Sequence, residues 1–382
     1  MAVGWNITNV GAVADPLADA YGVGLGVVGL FTTSLFLVHA LVQIPGGQTA
    51  DRHGARPVAL VSLVVMTAGN VLLLAAPEPA AAVALRGLVG LGTGVAFVAA
   101  SDYVRAAGGG AAAQGIFGGS AMGGGGLALA VVPALHGPLG WRAPYASAAV
   151  AASVALLALL ATARPPRARP AERSGLRAVV GDRRLDRLAV AHMASLGLNA
   201  VVANWVVTLL ERAGGYSLAA AGAASALTLG AGVVGRPLGG WLAHRDPRRA
   251  RAVVATSLLA GAAGTALLLP AGPLALVLFA SSLVGLGAGL AFAPLFAAAA
   301  ALRPEGPGAA VGFVNMAGNL VIVVGTPLLG LAFALPGDGR LGFAAVAVLW
   351  AAAVFALPRA SELPTAPAGA ARLPKPRGRE LR

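Results

Sequence analysis

The chain has 382 residues, 58% hydrophobic and only 11% charged, and its mean hydropathy is +0.81. A soluble domain carries about a quarter charged residues, so the composition excludes a water-soluble globule. The net charge of +13 arises from 27 basic against 14 acidic residues, and the lack of cysteine excludes disulfides and thiolate metal sites.

Crossing a ~30 Å hydrocarbon core takes about 20 apolar residues. In chain order, such stretches occupy residues 1–14, 23–44, 57–76, 80–100, 115–135, 144–161, 188–210, 218–243, 253–269, 274–301, 311–335 and 341–357. The predicted architecture is therefore an all-α integral membrane protein of about twelve transmembrane helices in two six-helix bundles. Residues 1–163 form the first bundle, 164–187 an Arg- and Pro-rich linker, 188–358 the second bundle, and 359–382 a disordered basic tail. The first stretch is short: at ~1.5 Å per residue it reaches roughly 21 Å. That length implies either a start further upstream or a helix that begins inside the bilayer. No basic residue precedes it, which argues against a secretory signal peptide.

The basic residues sort by side. Twenty-two of the 27 lie on alternate connections: Arg52 and Arg56, Arg105, the linker, residues 245–251, Arg303 and the tail. The opposite connections hold Arg142, Arg212 and Arg340. The positive-inside rule then places the linker and both termini in the cytoplasm of a multi-pass protein in the cell membrane, plasma or inner. The charge marks topology and does not require nucleic acid as a partner. Two arginines, Arg86 and Arg236, remain inside spans.

A signature repeats after the second span of each half. The run from Gly47 through Asp51, Arg52 and Gly54 to Arg56 resembles the G-x-x-x-D-R-x-G-x-[RK] loop of the major facilitator superfamily. A weaker copy runs from Gly240 through His244 and Arg245 to Arg249, 193 residues later. Arg86 followed by Gly90, Gly92 and Gly94 is similar to that family's fourth-span pattern, and Gly115, Gly118, Gly119 and Gly123 to Gly126 resemble its glycine-rich fifth helix. The fifth span lacks the Gly-Pro pair of the family's antiporters. Gly140-Trp141-Arg142 is a further common family feature and an interfacial anchor.

The resemblance implies two parallel six-helix repeats and a secondary transporter that works by alternating access between them. It also implies a conformational latch from Gly47, Asp51, Arg52, Gly54 and Arg56, with Asp102 as partner and Gly240 and Arg245 as the second copy. Solute sites in this architecture lie near the midplane. The polar residues there are Asn6, Asn9, His39, Gln43, Asn70, Arg86, His192, Asn199, Asn204, Arg236, Asn315 and Asn319. All but Asn70 are taken as substrate-cavity candidates. Gly235-Arg236-Pro237-Leu238-Gly239-Gly240 is similar to R-P-x-G-G segments of nitrate/nitrite porters, in which an eighth-helix arginine grips the anion. Aligning Gly47 with Gly240 puts Gln43 where their second arginine stands.

All 14 acidic residues lie in loops or near span ends. Two intramembrane arginines without intramembrane acids favour an anionic or carboxylate-bearing small solute. Its coupling ion would be a proton, taken up at His39 or His192, or a counter-solute. The five histidines lack metal-ligand spacing, and no nucleophile grouping points to an enzyme. No cofactor is implied, and the unit is a monomer in the lipid bilayer. Efflux of amphipathic drugs is the alternative, with Phe31, Phe36, Trp205, Phe313 and Phe333 available to line a pocket. A non-transporting membrane sensor of the same fold is the second alternative.

Overall fold

The computed structural model describes residues 1–107, 111–162, 181–243, 246–303 and 307–360. The long runs of Leu, Val, Ala and Gly have no polar face, so they form helices that are apolar all round, the pattern of membrane-spanning rods. The first rod stacks α1 (Ala2–Thr8), a 3-10 turn (Gly11–Val13) and α2 (Ala14–Tyr21). It is followed by α3 (Leu25–His53), α4 (Ala55–Leu73), α5 (Pro79–Ala106), α6 (Ala111–Leu139) and α7 (Ala143–Leu160). The second half opens with α8 (Arg183–His192), a π-helical turn (Met193–Leu198) and α9 (Asn199–Gly214), which form one rod. Then come α10 (Leu218–Ser225) with α11 (Leu227–Ala243), α12 (Pro247–Leu268), α13 (Leu274–Leu302), α14 (Pro307–Ala332) and α15 (Arg340–Ala352). Counting each stack as one, the described residues make twelve rods.

The first rod corrects the expected span of residues 1–14. Helix continues to Tyr21, and the stack reaches roughly 30 Å at ~1.5 Å per residue. Asp15 and Asp19 interrupt the hydropathy without interrupting the helix. A second correction concerns the signature after the second span. Residues Gly47 to His53 are the last turns of α3 and not a loop, and only Gly54, at φ +94°, breaks the backbone.

A closer repeat underlies the two halves. Residues 89–97, VGLGTGVAF, recur as residues 284–292, VGLGAGLAF. In both copies the glycines fit the same neighbours. A methyl on Gly90 or Gly94 would strike the α3 backbone at Leu35 or His39, and one on Gly92 would strike α4 at Met66. In the second half, Gly285 and Gly289 face α11 at Leu227 and Gly232, and Gly287 faces α12 at Gly261. The glycines let three helix axes approach to backbone contact, which drives packing where lipid removes any hydrophobic incentive.

Arginines cap helix ends in the same paired way. Arg56 donates through Nη2 to the Leu159 and Leu160 carbonyls at the end of α7, and Arg251 donates through Nε to the Pro358 carbonyl after α15. On the opposite face, Arg142 donates to the Leu74 carbonyl at 2.9 Å and Arg340 to the Leu269 carbonyl at 2.9 Å. These carbonyls lie at or just past helix C-termini, where a cation meets the negative helix end. Arg251, not Arg249, is thus the counterpart of Arg56; Arg249 instead approaches Asp246 at 3.6 Å.

Asp182 caps α8 by accepting from the Arg184 amide at 2.9 Å, and it pairs with Arg303 at 3.1 Å. Burial opposes its ionisation, but the Arg184 amide and the two guanidiniums outweigh that and hold the carboxyl below its ordinary range. The stabilisation this gives is complete above the ordinary carboxylate range and is lost as pH falls through the lowered value. Asp182→Asn should therefore flatten the acid limb of a melting-temperature profile.

The two halves meet along two seams, α3 against α14 and α6 against α10 and α11. In the α6 seam, Gly126 packs on the backbone of Ala226 and Gly230, and Gly119 and Gly123 face Val233. The glycine-rich helix is therefore part of what brings the halves together.

Candidate functional site

Two arginines lie within spans, and the structure gives them different roles. Arg86 of α5 is fully buried. Its Nη2 donates to the Asn6 carbonyl at 2.8 Å, Nε to the Phe31 carbonyl at 3.3 Å and Nη1 to Asn9 Oδ1 at 3.4 Å. Asn70 donates to Asn6 Oδ1 at 2.9 Å, and Asn9 Nδ2 donates to the Pro144 carbonyl. These groups bond one another around the point where α1 gives way to the 3-10 turn, leaving Asn70 Oδ1 without a partner. Asn6, Asn9 and Arg86, expected as cavity residues, thus form a closed network inside the first half. A guanidinium in the membrane interior is stable there because the first rod offers it the Asn6 carbonyl and the Asn9 side chain, and α3 the Phe31 carbonyl.

Arg236 of α11 has no such partners. It is 8% exposed, its Nε has no hydrogen-bond partner, and no acidic group among the described residues pairs with it. Its guanidinium lies 3.9 Å from the centroid of Phe292, a cation–π contact. Its Nη1 sits so close to Gly118 of α6 that a Cβ there would come within 2.8 Å. The group therefore lies on the seam between the halves, roughly 10 Å from the end of α11 at ~1.5 Å per residue. An uncompensated buried cation in such a setting is costly.

Other donors around the midplane are also unpartnered. His192 is buried with neither ring nitrogen in a hydrogen bond of good geometry, its ring 4.9 Å from Phe296. Gln43 Nε2 and Asn319 Nδ2 are buried without acceptors. Asn315 is partly exposed and close to His192. His39, in contrast, pairs through Nδ1 with the Thr93 hydroxyl at 3.1 Å, and Asn199 donates to the Thr228 carbonyl at 2.9 Å. Asn204 bridges the halves by accepting from Thr32 at 3.4 Å.

On the arginine-poor face the halves are pinned together. Arg212 at the end of α9 grips Asp15 of α2 through both Nε and Nη2, at 3.1 and 2.5 Å. Gly11 packs against the Asn204 backbone, Gly29 meets Pro327, and the Trp205 indole donates to the Thr326 carbonyl at 2.8 Å. Trp205 and Phe333 stack at 5.5 Å in this closed region, and Phe31 is fully buried. All three side chains are buried.

Part of the expected latch can be placed. Gly47 packs on Val98 of α5, Gly240 on Ala293 of α13, and Arg56 is committed to the end of α7. Arg52 is exposed near the end of α3, and Asp102 lies at the same end of α5. Arg245, the Asp51 side chain, most of the linker and the tail from residue 361 lie outside the described residues.

Among the described residues, twelve rods in two halves carry a shared nine-residue repeat. The family model described as Major Facilitator Superfamily matches residues 1–326. The chain belongs to the major facilitator superfamily. It is a multi-pass membrane protein and a secondary transporter of small solutes.

Solved structures of transporters share the superfamily fold. A mutant form of the nucleoside transporter NupG superposes with a TM-score of 0.75 at 14% identity, covering 93% of this chain and 97% of its own. A bacterial homologue of the human lysosomal transporter Spinster, inward-facing and occupied, gives 0.73 at 18% identity, covering 95% and 94%. The same homologue, inward-facing and unoccupied, gives 0.71 at 17% identity, covering 93% and 92%. No curated protein sequence matches the chain significantly.

The repeat ending in Phe97 and Phe292 is the feature that sequence reasoning passed over. Its signal is the near-identity of two nine-residue segments, one in each half.

Proposed function

We propose that this protein carries a small anionic or carboxylate-bearing solute across the cell membrane, with Arg236 as the binding cation. The observation that carries the reading is a buried guanidinium on the seam between the halves with no acidic partner among the described residues. An anion held there would make charge-assisted hydrogen bonds to the unused N–H groups. Gln43, in the place of the second arginine of nitrate/nitrite porters, offers a neutral donor. One cation in place of two fits a singly charged solute.

Alternating access then follows from the two seams. With the arginine-rich face taken as cytoplasmic, the Asp15 and Arg212 pair closes the outer face, and this is the inward-facing state. A proton or counter-solute moving with the anion would balance its charge, and His39 or His192 would carry the proton. Asp51, Arg52 and Asp102 would latch the cytoplasmic face in the outward-facing state.

Two experiments test these readings. Counterflow in proteoliposomes should show exchange of nitrate or small carboxylates; movement of cationic or neutral solutes alone, unaffected by Arg236→Ala, would refute the anion assignment. For the gates, the cysteine-free chain allows single introduced cysteines to be labelled from either face. Asp15→Asn should raise labelling from the arginine-poor face, and Asp51→Asn should raise it from the arginine-rich face. Unchanged labelling in either mutant counts against that gate.

A further inference from the structure

Aromatic side chains are sparse, at 5% of the chain, yet several gather where the two copies of the nine-residue repeat end. Phe97 lies 5.2 Å from Phe117 of α6, and its repeat mate Phe292 lies 4.4 Å from Phe296. Between the two pairs stands Arg236, over the face of Phe292 and against Gly118, the residue after Phe117. All four rings are partly exposed, whereas Phe31, Phe343, Trp205 and Trp350 are fully buried. The site therefore combines one cation with two aromatic pairs, one from each half.

Resting on the anion reading above, we infer that the solute is a ring-bearing monocarboxylate, its carboxylate on Arg236 and its ring between the Phe97 and Phe292 pairs. Arg86, the other arginine within the spans, is committed to the first half, so the site offers a single full charge. The unpartnered Nε of Arg236 is a donor, which suits the acceptor-only oxygens of a carboxylate. Aromatic rings favour offset or edge contacts with another ring, and a bare inorganic anion would leave those surfaces unused. A neutral ring solute would leave the guanidinium unmatched. Because one pair belongs to each half, a ring held by both senses the separation of the halves, which couples binding to the conformational change.

The test uses the full-length protein and four probes: benzoate, acetate, nitrate and uridine. Exchange is measured in liposomes, and benzoate binding to purified protein is measured in parallel by equilibrium dialysis. Benzoate should exchange at least about tenfold better than acetate or nitrate. Phe292→Leu and Phe97→Leu should each weaken benzoate binding roughly five- to tenfold and weaken acetate exchange by a smaller factor, so that the preference for benzoate over acetate falls. Phe355→Leu, at a ring 92% exposed, should leave benzoate binding unchanged and so report on folding alone. Equal exchange of acetate and benzoate, exchange of nitrate alone, or no benzoate binding up to about 10 mM overturns the ring assignment while the anion reading stands. Uridine exchange that survives Arg236→Ala overturns both.

Discussion

Arg236→Ala should abolish anion exchange while the protein still inserts and folds. Each charge-assisted hydrogen bond contributes about 1.5–3 kcal/mol, so the loss of two should reduce affinity by roughly a hundredfold or more. Removing the guanidinium also removes an uncompensated buried charge, so the melting temperature should stay the same or rise. That combination, activity lost with stability kept or gained, separates a ligand-binding cation from a structural one. Arg86→Ala should behave in the opposite way. It would remove the hydrogen bonds that tie the Asn6 and Phe31 carbonyls and Asn9 Oδ1 to α5, and stability should fall together with activity. Thermal melts and counterflow on the same two preparations decide the matter.

Gly94→Val and Gly289→Val should each destabilise the fold by about 3 kcal/mol or more, the upper range for overpacking a close contact. At Gly94 a Cβ would lie 2.5 Å from the His39 carbonyl oxygen, and at Gly289 it would lie 2.7 Å from the Gly232 carbonyl oxygen. Both obstacles are backbone, so neither can rotate away, and the helix pair must separate. Gly312→Val is the control, because nothing lies within 4 Å of a Cβ there. It should cost no more than the ~0.5 kcal/mol of an ordinary surface substitution. Equal melting losses at Gly94 and Gly289 would support the paired geometry of the repeat. Loss at one position only would argue that the halves pack differently.

Much of the fold was legible because a bilayer imposes simple length and polarity rules on a sequence. Spans, the two halves and the family signature all follow from runs of apolar residues and from where arginine is permitted. What was misread depended on contacts between distant residues. Asp15 looked like the end of the first span because its charge ends the apolar run, yet Arg212, from the other half, neutralises it. Arg56 matched a loop signature, but its role at the end of α7 depends on carbonyls about a hundred residues away. Arg86 and Arg236 are alike in sequence context, each an arginine in an apolar helix. Only the acceptors that the first rod and α3 supply to one and not to the other distinguish them. The grouping of Phe97, Phe117, Phe292 and Phe296 could not be read from spacing, since it joins three helices from two halves, although the repeat that pairs two of them lay in plain view.

Labelling of a cysteine introduced at Asn315 tests the central claim most directly, because that position is partly exposed beside His192 and the chain has no other cysteine. With the solute bound at Arg236, benzoate or another transported anion should slow labelling by an impermeant maleimide, and Arg236→Ala in the same background should abolish that protection. Protection that persists in the alanine variant, or that a cationic solute provides equally well, would contradict the account.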